Sequence, residues 1–286
     1  SLTGSDKDNY DLSAQPLASA RINKRTTTIT GVAGVDREYD GTTSATATFT
    51  SQVIARKVTG DTLTVDSSSY AASFSDKNYS ADNKTVTITG VALTGSDKDN
   101  YDLTAQPSAV AKISKRTTTI TGAEGVDREY DGTTAATFTG GTIARKVTGD
   151  TLDIYSTGYS GSFADKNYSA SDKDITITGV SLTGSDKDNY DLSAQPLASA
   201  KINKRTTTIT GVAGDDREYD GTTAATATFT SQVIARKVTG DTLSVDSTSY
   251  AASFSDKNYS ADNKTVTITG VALTGSDKDN YDLTAQ

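Results

Sequence analysis

The chain has 286 residues, with 36 Asp and Glu against 28 Lys and Arg, and a formal net charge of -8. That acidic balance argues against a nucleic-acid or anionic-membrane partner, because both attract basic surfaces. There is no Cys and no His, which removes disulfide frameworks, thiolate metal sites and the commonest catalytic base. No apolar run approaches the ~20 residues needed to span a bilayer, and no signal peptide is recognisable. The first residue is Ser1 and Met is absent, so the chain reads as a segment of something longer.

A repeat organises everything else. The segment SDKDNYDL recurs with its tyrosine at Tyr10, Tyr101, Tyr190 and Tyr281, at intervals of 91, 89 and 91 residues. Tyr-Asp-Gly begins at Tyr39, Tyr130 and Tyr219. A period near 90 exceeds the 20–50 residues of solenoid repeats and suits small independent β-sandwiches. The expected division is 1–22 as the last strand pair of a preceding repeat, then 23–113, 114–202 and 203–286, the last without its closing strand. Units one and three differ at four positions over 23–106 and 203–286: Val35/Asp215, Ser44/Ala224, Thr64/Ser244 and Ser68/Thr248. The middle unit is two residues shorter between Gly132 and Arg145 than the first is between Gly41 and Arg56. A two-residue deletion keeps every strand side chain on its face, whereas one residue would invert them.

In chain order, unit one predicts a strand at 26–31, then a turn at 39–42, where Asp-Gly supplies unusual backbone angles. A strand of small residues and Thr follows at 43–50, with a turn at 59–61. Residues 62–66 place Leu63 and Val65 on one face, and 70–74 form the next strand. The clearest alternation lies at 84–93, with Val86 and Ile88 inward and Thr85, Thr87 and Thr89 outward. Strands at 101–105 and 108–113 close the unit. About seven strands without helical periodicity predict an all-β chain of tandem immunoglobulin-like sandwiches, end to end as a rod, with β-grasp-like repeats as the alternative. Asp97, four residues before Tyr101, resembles the tyrosine corner of such sandwiches, in which a Tyr hydroxyl bonds to backbone a few residues upstream.

No Gly-, Ser- or Pro-rich linker separates the units: 111–113 run through Ser114-Lys115-Arg116 directly into 117–121. Neighbouring domains are therefore expected to be held stiffly, since a flexible tether needs such a stretch. Pro16, Pro107 and Pro196 each begin a closing strand, a position proline tolerates. A lone strand pair is marginal, so residues 1–22 are expected to borrow packing from the open edge of a neighbouring copy. Near-identical neighbours also invite homotypic strand exchange or lateral association.

The segments REYDGTTAATATF, VTGDTL, SFSDKNYS and TVTITGVALTGSDKDNYDL, followed by AKI, span the chain in order. Together they resemble the YDG/MBG-type repeats of large bacterial surface adhesins, including filamentous-haemagglutinin-like stalks. The chain departs in one place: Lys24, Lys115 and Lys204 follow the closing segment where the family often has Pro. The resemblance implies secretion through a two-partner or similar route, a cell-surface location and a stalk or spacer role without catalytic residues. It gives structural weight to Tyr39, Asp40, Gly41, Tyr101, Tyr130, Tyr190, Tyr219 and Tyr281. The rival expectation is that the repeats themselves adhere, to copies of themselves or to a glycan, through recurring exposed aromatics such as Tyr70, Tyr79 and Tyr155.

Other chemistry is weaker. Asp97, Asp99, Asn100 and Asp102 have the alternating oxygen spacing of a Ca²⁺ loop, but lack its Gly and distal Glu and carry Lys98 between. An Asx-stabilised turn is the plainer reading, and no other cofactor is expected. Asn78, Asn83, Asn167, Asn258 and Asn263 begin N-x-Ser/Thr triplets, common by chance in a chain this rich in Ser and Thr. The Thr85, Thr87 and Thr89 ladder reads as solvent-facing strand and not as an ice-binding plane.

Overall fold

In the computed structural model, residues 1–285 are described. The chain divides into two compact units, Ser1–Lys115 and Arg116–Gln286. Both are built of short strands, with a single turn of 3₁₀ helix before each recurring Tyr, at Lys7–Asn9, Lys98–Asn100, Lys187–Asn189 and Lys278–Asn280. The described residues contain no α-helix.

Within the first unit, Lys84–Thr89 is the central strand of repeat 1. It pairs antiparallel with Ala71–Phe74 on one side and Ser108–Ala111 on the other. Its alternation sets the core: Val86 and Ile88 are buried, while Thr85, Thr87 and Thr89 are exposed, as expected from the two-residue period. The predicted 84–93 strand breaks at Gly90, where φ is +76° and an added Cβ would lie 2.6 Å from the Ser69 carbonyl oxygen. Beyond that break, Ala92–Thr94 joins a different sheet, pairing with Thr64–Asp66. Leu63 is buried and Val65 half-buried, so the predicted common face holds.

The all-β expectation holds, but the pairing is mixed. Arg25–Thr27 runs parallel to Tyr101–Leu103, and Arg37–Glu38 runs parallel to Ile113–Ser114. A sandwich of antiparallel immunoglobulin sheets has no such pairs. Opening and closing strands thus travel together along one repeat. Residues 43–50 are mostly loop, with only Ala47–Thr48 in a ladder. The two-residue strands Ala33–Gly34, Arg37–Glu38 and Val53–Ile54 escaped prediction because two residues show no alternation.

The two-residue deletion has a clear local effect. In repeat 2, Phe138–Ile143 is one continuous strand against Ile120–Gly125. In repeat 1 the corresponding stretch is split into Ala47–Thr48 and Val53–Ile54, with a turn between them. The amide of Ala47 meets the Tyr70 hydroxyl just as that of Phe138 meets the Tyr159 hydroxyl. The extra residues therefore loop out after position 47. Phe49 comes back to stack edge-on against Tyr70 at 5.1 Å, and Phe138 does the same to Tyr159 at 4.7 Å.

In the second unit, one buried cluster runs through Tyr130, Phe163, Ile175, Ile177 and Ile202 of repeat 2 into Leu243 and Tyr281 of repeat 3. Repeat 3 departs from its siblings at one edge. Val266–Thr269 pairs with Ala251–Phe254, but no described strand takes the other side, where Ser108–Ala111 and Ala198–Ala200 lie in repeats 1 and 2. Val266 and Ile268 are accordingly half-buried, whereas Ile175 and Ile177 are buried. Residues 1–22 contain the Lys7–Asn9 turn, and every one of them is exposed.

Candidate functional site: the joint between repeats 2 and 3

The recurring Tyr of SDKDNYDL does not form the predicted corner. The Tyr101 hydroxyl donates to Asp61 Oδ2 at 2.5 Å and accepts from the Val58 amide at 2.8 Å, some 40 residues upstream and not a few. Asp97 instead accepts from the Thr62 amide at 2.8 Å. The same geometry recurs in repeat 2, where Tyr190 donates to Asp150 at 2.6 Å, and in repeat 3, where Tyr281 donates to Asp241 at 2.6 Å. Each repeat thus holds a Tyr–Asp pair at its leading end, set by the VTGDTL turn and the start of the strand that follows the 3₁₀ turn.

The Tyr-Asp-Gly turn stands at the trailing end of a repeat. Its Asp is an Asx turn: Asp131 Oδ1 accepts from the Thr133 amide and hydroxyl, both at 2.8 Å, and pairs with Arg128 at 2.5 Å. Asp40 does the same with Thr42 and Arg37, and Asp220 with Thr222 and Arg217. The Arg217 guanidinium, followed by Thr222, lowers the Asp220 carboxyl to about 2. Gly132 sits at φ +80°, and an added Cβ would lie 2.6 Å from Val238 of the next repeat. Only glycine satisfies both the left-handed backbone and that approach.

The Tyr of the turn completes the joint. Tyr130 is fully buried and its hydroxyl donates to Asp241, 3.0 Å from Oδ1 and 2.9 Å from Oδ2. Its ring packs edge-on against Tyr281, centroids 5.6 Å apart at 70°. Lys166 lies over the Tyr130 ring at 5.7 Å, contacts Asp241 at 3.1 Å and reaches Asp277 at 3.6 Å. A buried carboxylate is stable only when its lone pairs are met, and two hydroxyls and an ammonium meet these. Burial works to raise the Asp241 carboxyl, but hydrogen bonds from Tyr281, Lys166 and Tyr130 outweigh it and hold its pKa below the usual range. Burial, then the hydrogen bond to Asp241, pushes Tyr281 up to about 12.

A rim of polar contacts surrounds this centre. Glu129 pairs with Arg236 at 2.5 Å and accepts from the Thr206 amide at 2.9 Å. Arg205 donates to the Tyr130 carbonyl at 3.1 Å, and the Tyr168 amide donates to Asn280 Oδ1 at 2.8 Å. Tyr130 and Tyr281 are legible in the sequence as recurring residues; Asp241, Lys166, Glu129, Arg236 and Asn280 are not. The recurrence of Asp in every VTGDTL is the available signal, although locally it marks only a turn.

The remaining expected site residues sit elsewhere. Asp99 is exposed beside Lys98, 3.9 Å away. Asp97 holds the Thr62 amide, as above, and among the described residues no three acidic side chains come together. Tyr39 is fully buried, with Lys77 over its ring at 5.9 Å, whereas Tyr219 is 66% exposed. Tyr70 is engaged by Phe49 and by its hydroxyl bond to the Ala47 carbonyl, and Tyr79 lies under Lys115. Tyr155 is exposed, and its counterparts in the other repeats are Asp66 and Asp246.

Neither the curated proteins nor the solved structures contain a match to this chain. The family model described as the YDG domain matches three times in tandem, over residues 23–109, 114–197 and 203–286, and the chain belongs to the YDG-domain family.

Proposed function

We propose that these repeats are a structural spacer in a bacterial cell-surface adhesin, carrying a binding region away from the cell. The observation that carries this reading is the Tyr130–Asp241–Tyr281 joint. A tether needs only a flexible linker, yet here the apolar core continues across the boundary and ends on a buried, fully paired carboxylate. Such a joint resists bending because any hinge motion uncovers Asp241 and breaks charge-assisted bonds. Stiffness converts repeat number into reach, which is what a spacer requires. Secretion and the surface location come from the family resemblance.

The rival adhesive role asks for aromatics that recur on one exposed face. Tyr70 is engaged by Phe49 of its own repeat and Tyr79 lies under Lys115, and the exposed Tyr155 has no aromatic counterpart in repeats 1 and 3. The test is small-angle scattering of the chain with and without Asp241→Ala, alongside cell and glycan binding by the purified chain. A stiff particle that loosens in the variant and binds neither cells nor glycans supports the spacer. A flexible wild-type chain, or adhesion by the repeats alone, overturns it.

A further inference from the structure

Tension along the chain enters and leaves a repeat through its first and last strands, so what holds those strands decides how the repeat meets a pull. In repeat 2 the opening strand Arg116–Thr118 runs parallel to Tyr190–Leu192, with Arg116 opposite Tyr190 at the leading end. The closing residues Ile202–Asn203 run parallel to Arg128–Glu129 and finish at the trailing end, where the Tyr130 amide donates to the Asn203 carbonyl at 2.9 Å. The chain therefore enters at one end of the repeat and leaves at the other, along strand axes. A pull between those points slides each terminal strand along its neighbour, and all the bonds of the ladder are strained together. Pulled apart from one end, the same bonds would open one after another.

The closing strand is held on both sides. Ala198–Ala200 pairs antiparallel with Lys173–Ile175. Beyond it, the amides of Arg128 and Ser169 donate to the carbonyls of Lys201 and Ile202 at 3.1 and 3.0 Å, and the Lys201 amide donates to Asp127 Oδ1 at 2.8 Å. The opening strand is held by two arginines. Arg116 Nε donates to the Arg145 carbonyl at 2.6 Å, and Arg145 Nη1 donates back to the Thr117 carbonyl at 2.8 Å. Arg145 stands at φ +57°, a left-handed backbone that residues other than glycine rarely adopt. Repeats 1 and 3 do the same. Arg56 at +59° accepts from Arg25 at 2.6 Å and donates to the Thr26 carbonyl at 3.1 Å. Arg236 at +58° accepts from Arg205 at 2.6 Å and donates to the Thr206 carbonyl at 3.0 Å. Glycine would make such a turn with less strain, so the position keeps arginine for its hold on the opening strand.

We propose that the YDG repeat is a load-bearing element, in which the parallel terminal strands and the left-handed arginine form a clamp that resists tension along the chain by shear. Load passes directly from one clamp to the next in the second unit. Asn203 closes repeat 2 and Arg205 opens repeat 3, with only Lys204 between, and Arg205 also donates to the Tyr130 carbonyl at 3.1 Å. This goes beyond the spacer reading, which concerns reach and resistance to bending; a repeat can space without bearing load.

The chain has no Cys, so introduced cysteines are unique handles. The test is unfolding of the full chain at constant force in magnetic tweezers. Ser114→Cys with Asn203→Cys, both at exposed positions, pulls repeat 2 from end to end along its strands. Ser114→Cys with Asp188→Cys, also exposed, pulls the opening strand away from Tyr190–Leu192 at the leading end alone. At the same force the first geometry is expected to survive about tenfold longer or more, because forced unfolding follows the barrier and not the equilibrium. Arg145→Gly removes the guanidinium and leaves a residue at ease in the left-handed turn. It is expected to shorten survival in the first geometry about tenfold, the rate equivalent of one charge-assisted hydrogen bond. Equal survival in the two directions, or an Arg145→Gly repeat that lasts as long as its parent, would overturn the proposal.

Discussion

Tyr130 and Asp241 lie 111 residues apart in the chain, yet the buried Tyr130 hydroxyl donates to both oxygens of the Asp241 carboxylate, at 3.0 and 2.9 Å. One residue belongs to the trailing turn of repeat 2, the other to the leading turn of repeat 3. Asp241 is already held by Tyr281 inside its own repeat. Tyr130 therefore enters a prepared acceptor, and little order has to be created when the two repeats meet.

Removing that hydroxyl tests the joint without emptying the space its ring fills. Tyr130→Phe is expected to cost about 1.5–3 kcal/mol, the range for a bond to a charged group. Glu129→Gln, which weakens a half-exposed ion pair with Arg236, is expected to cost about 0.2–1 kcal/mol. Urea unfolding of the full chain ranks the two. A Glu129→Gln loss equal to that of Tyr130→Phe would mean the rim, and not the buried centre, holds the joint.

The joint also has a defined pH window. For both Asp241 and Glu129, burial acts to raise the pKa, but hydrogen bonds and neighbouring cations win and lower it. A carboxylate with a lowered folded pKa stabilises above its unfolded value, near 4, and that contribution is lost as pH falls through the folded value. Tyr281 is the opposite case: raised to about 12, it contributes below its unfolded value near 10 and the contribution is lost as pH rises through 12. Melting temperatures followed from pH 7 downward are expected to fall below about pH 4, and less steeply in Asp241→Asn. Identical acid limbs for wild type and variant would show that Asp241 carries none of this dependence.

Two glycines of repeat 1 separate backbone strain from crowding. Gly60 has φ +95° and open space around its Cα, so Gly60→Ala is expected to cost only the left-handed penalty of about 1–2 kcal/mol. Gly90 has φ +76°, and an alanine Cβ would also press on the Ser69 carbonyl oxygen at 2.6 Å. Gly90→Ala is expected to cost about 3 kcal/mol or more, because backbone must shift. Denaturant midpoints compare them, and equal losses would contradict the crowding at Gly90.

What the sequence determined by itself was whatever a few neighbouring residues encode. The repeat of 91 and 89 residues is visible as identity between segments. The inward Val86 and Ile88 follow from a six-residue strand long enough to show its alternation. The Asp-Gly turns follow from side chains that bond to their own backbone two residues on. The tertiary structure alone decided the rest. Parallel pairing of Arg25–Thr27 with Tyr101–Leu103 brings together segments about 76 residues apart in sequence, which leaves no local pattern. The partner of the recurring Tyr was misplaced for the same reason: the backbone a few residues upstream is near in sequence, but Asp61 and Val58 are near in space. The joint depends on both effects at once. Its centre is a tyrosine and an aspartate whose roles appear only when one repeat has folded and the next has packed against it, because burial is what turns an ordinary turn carboxylate into the group that must be paired.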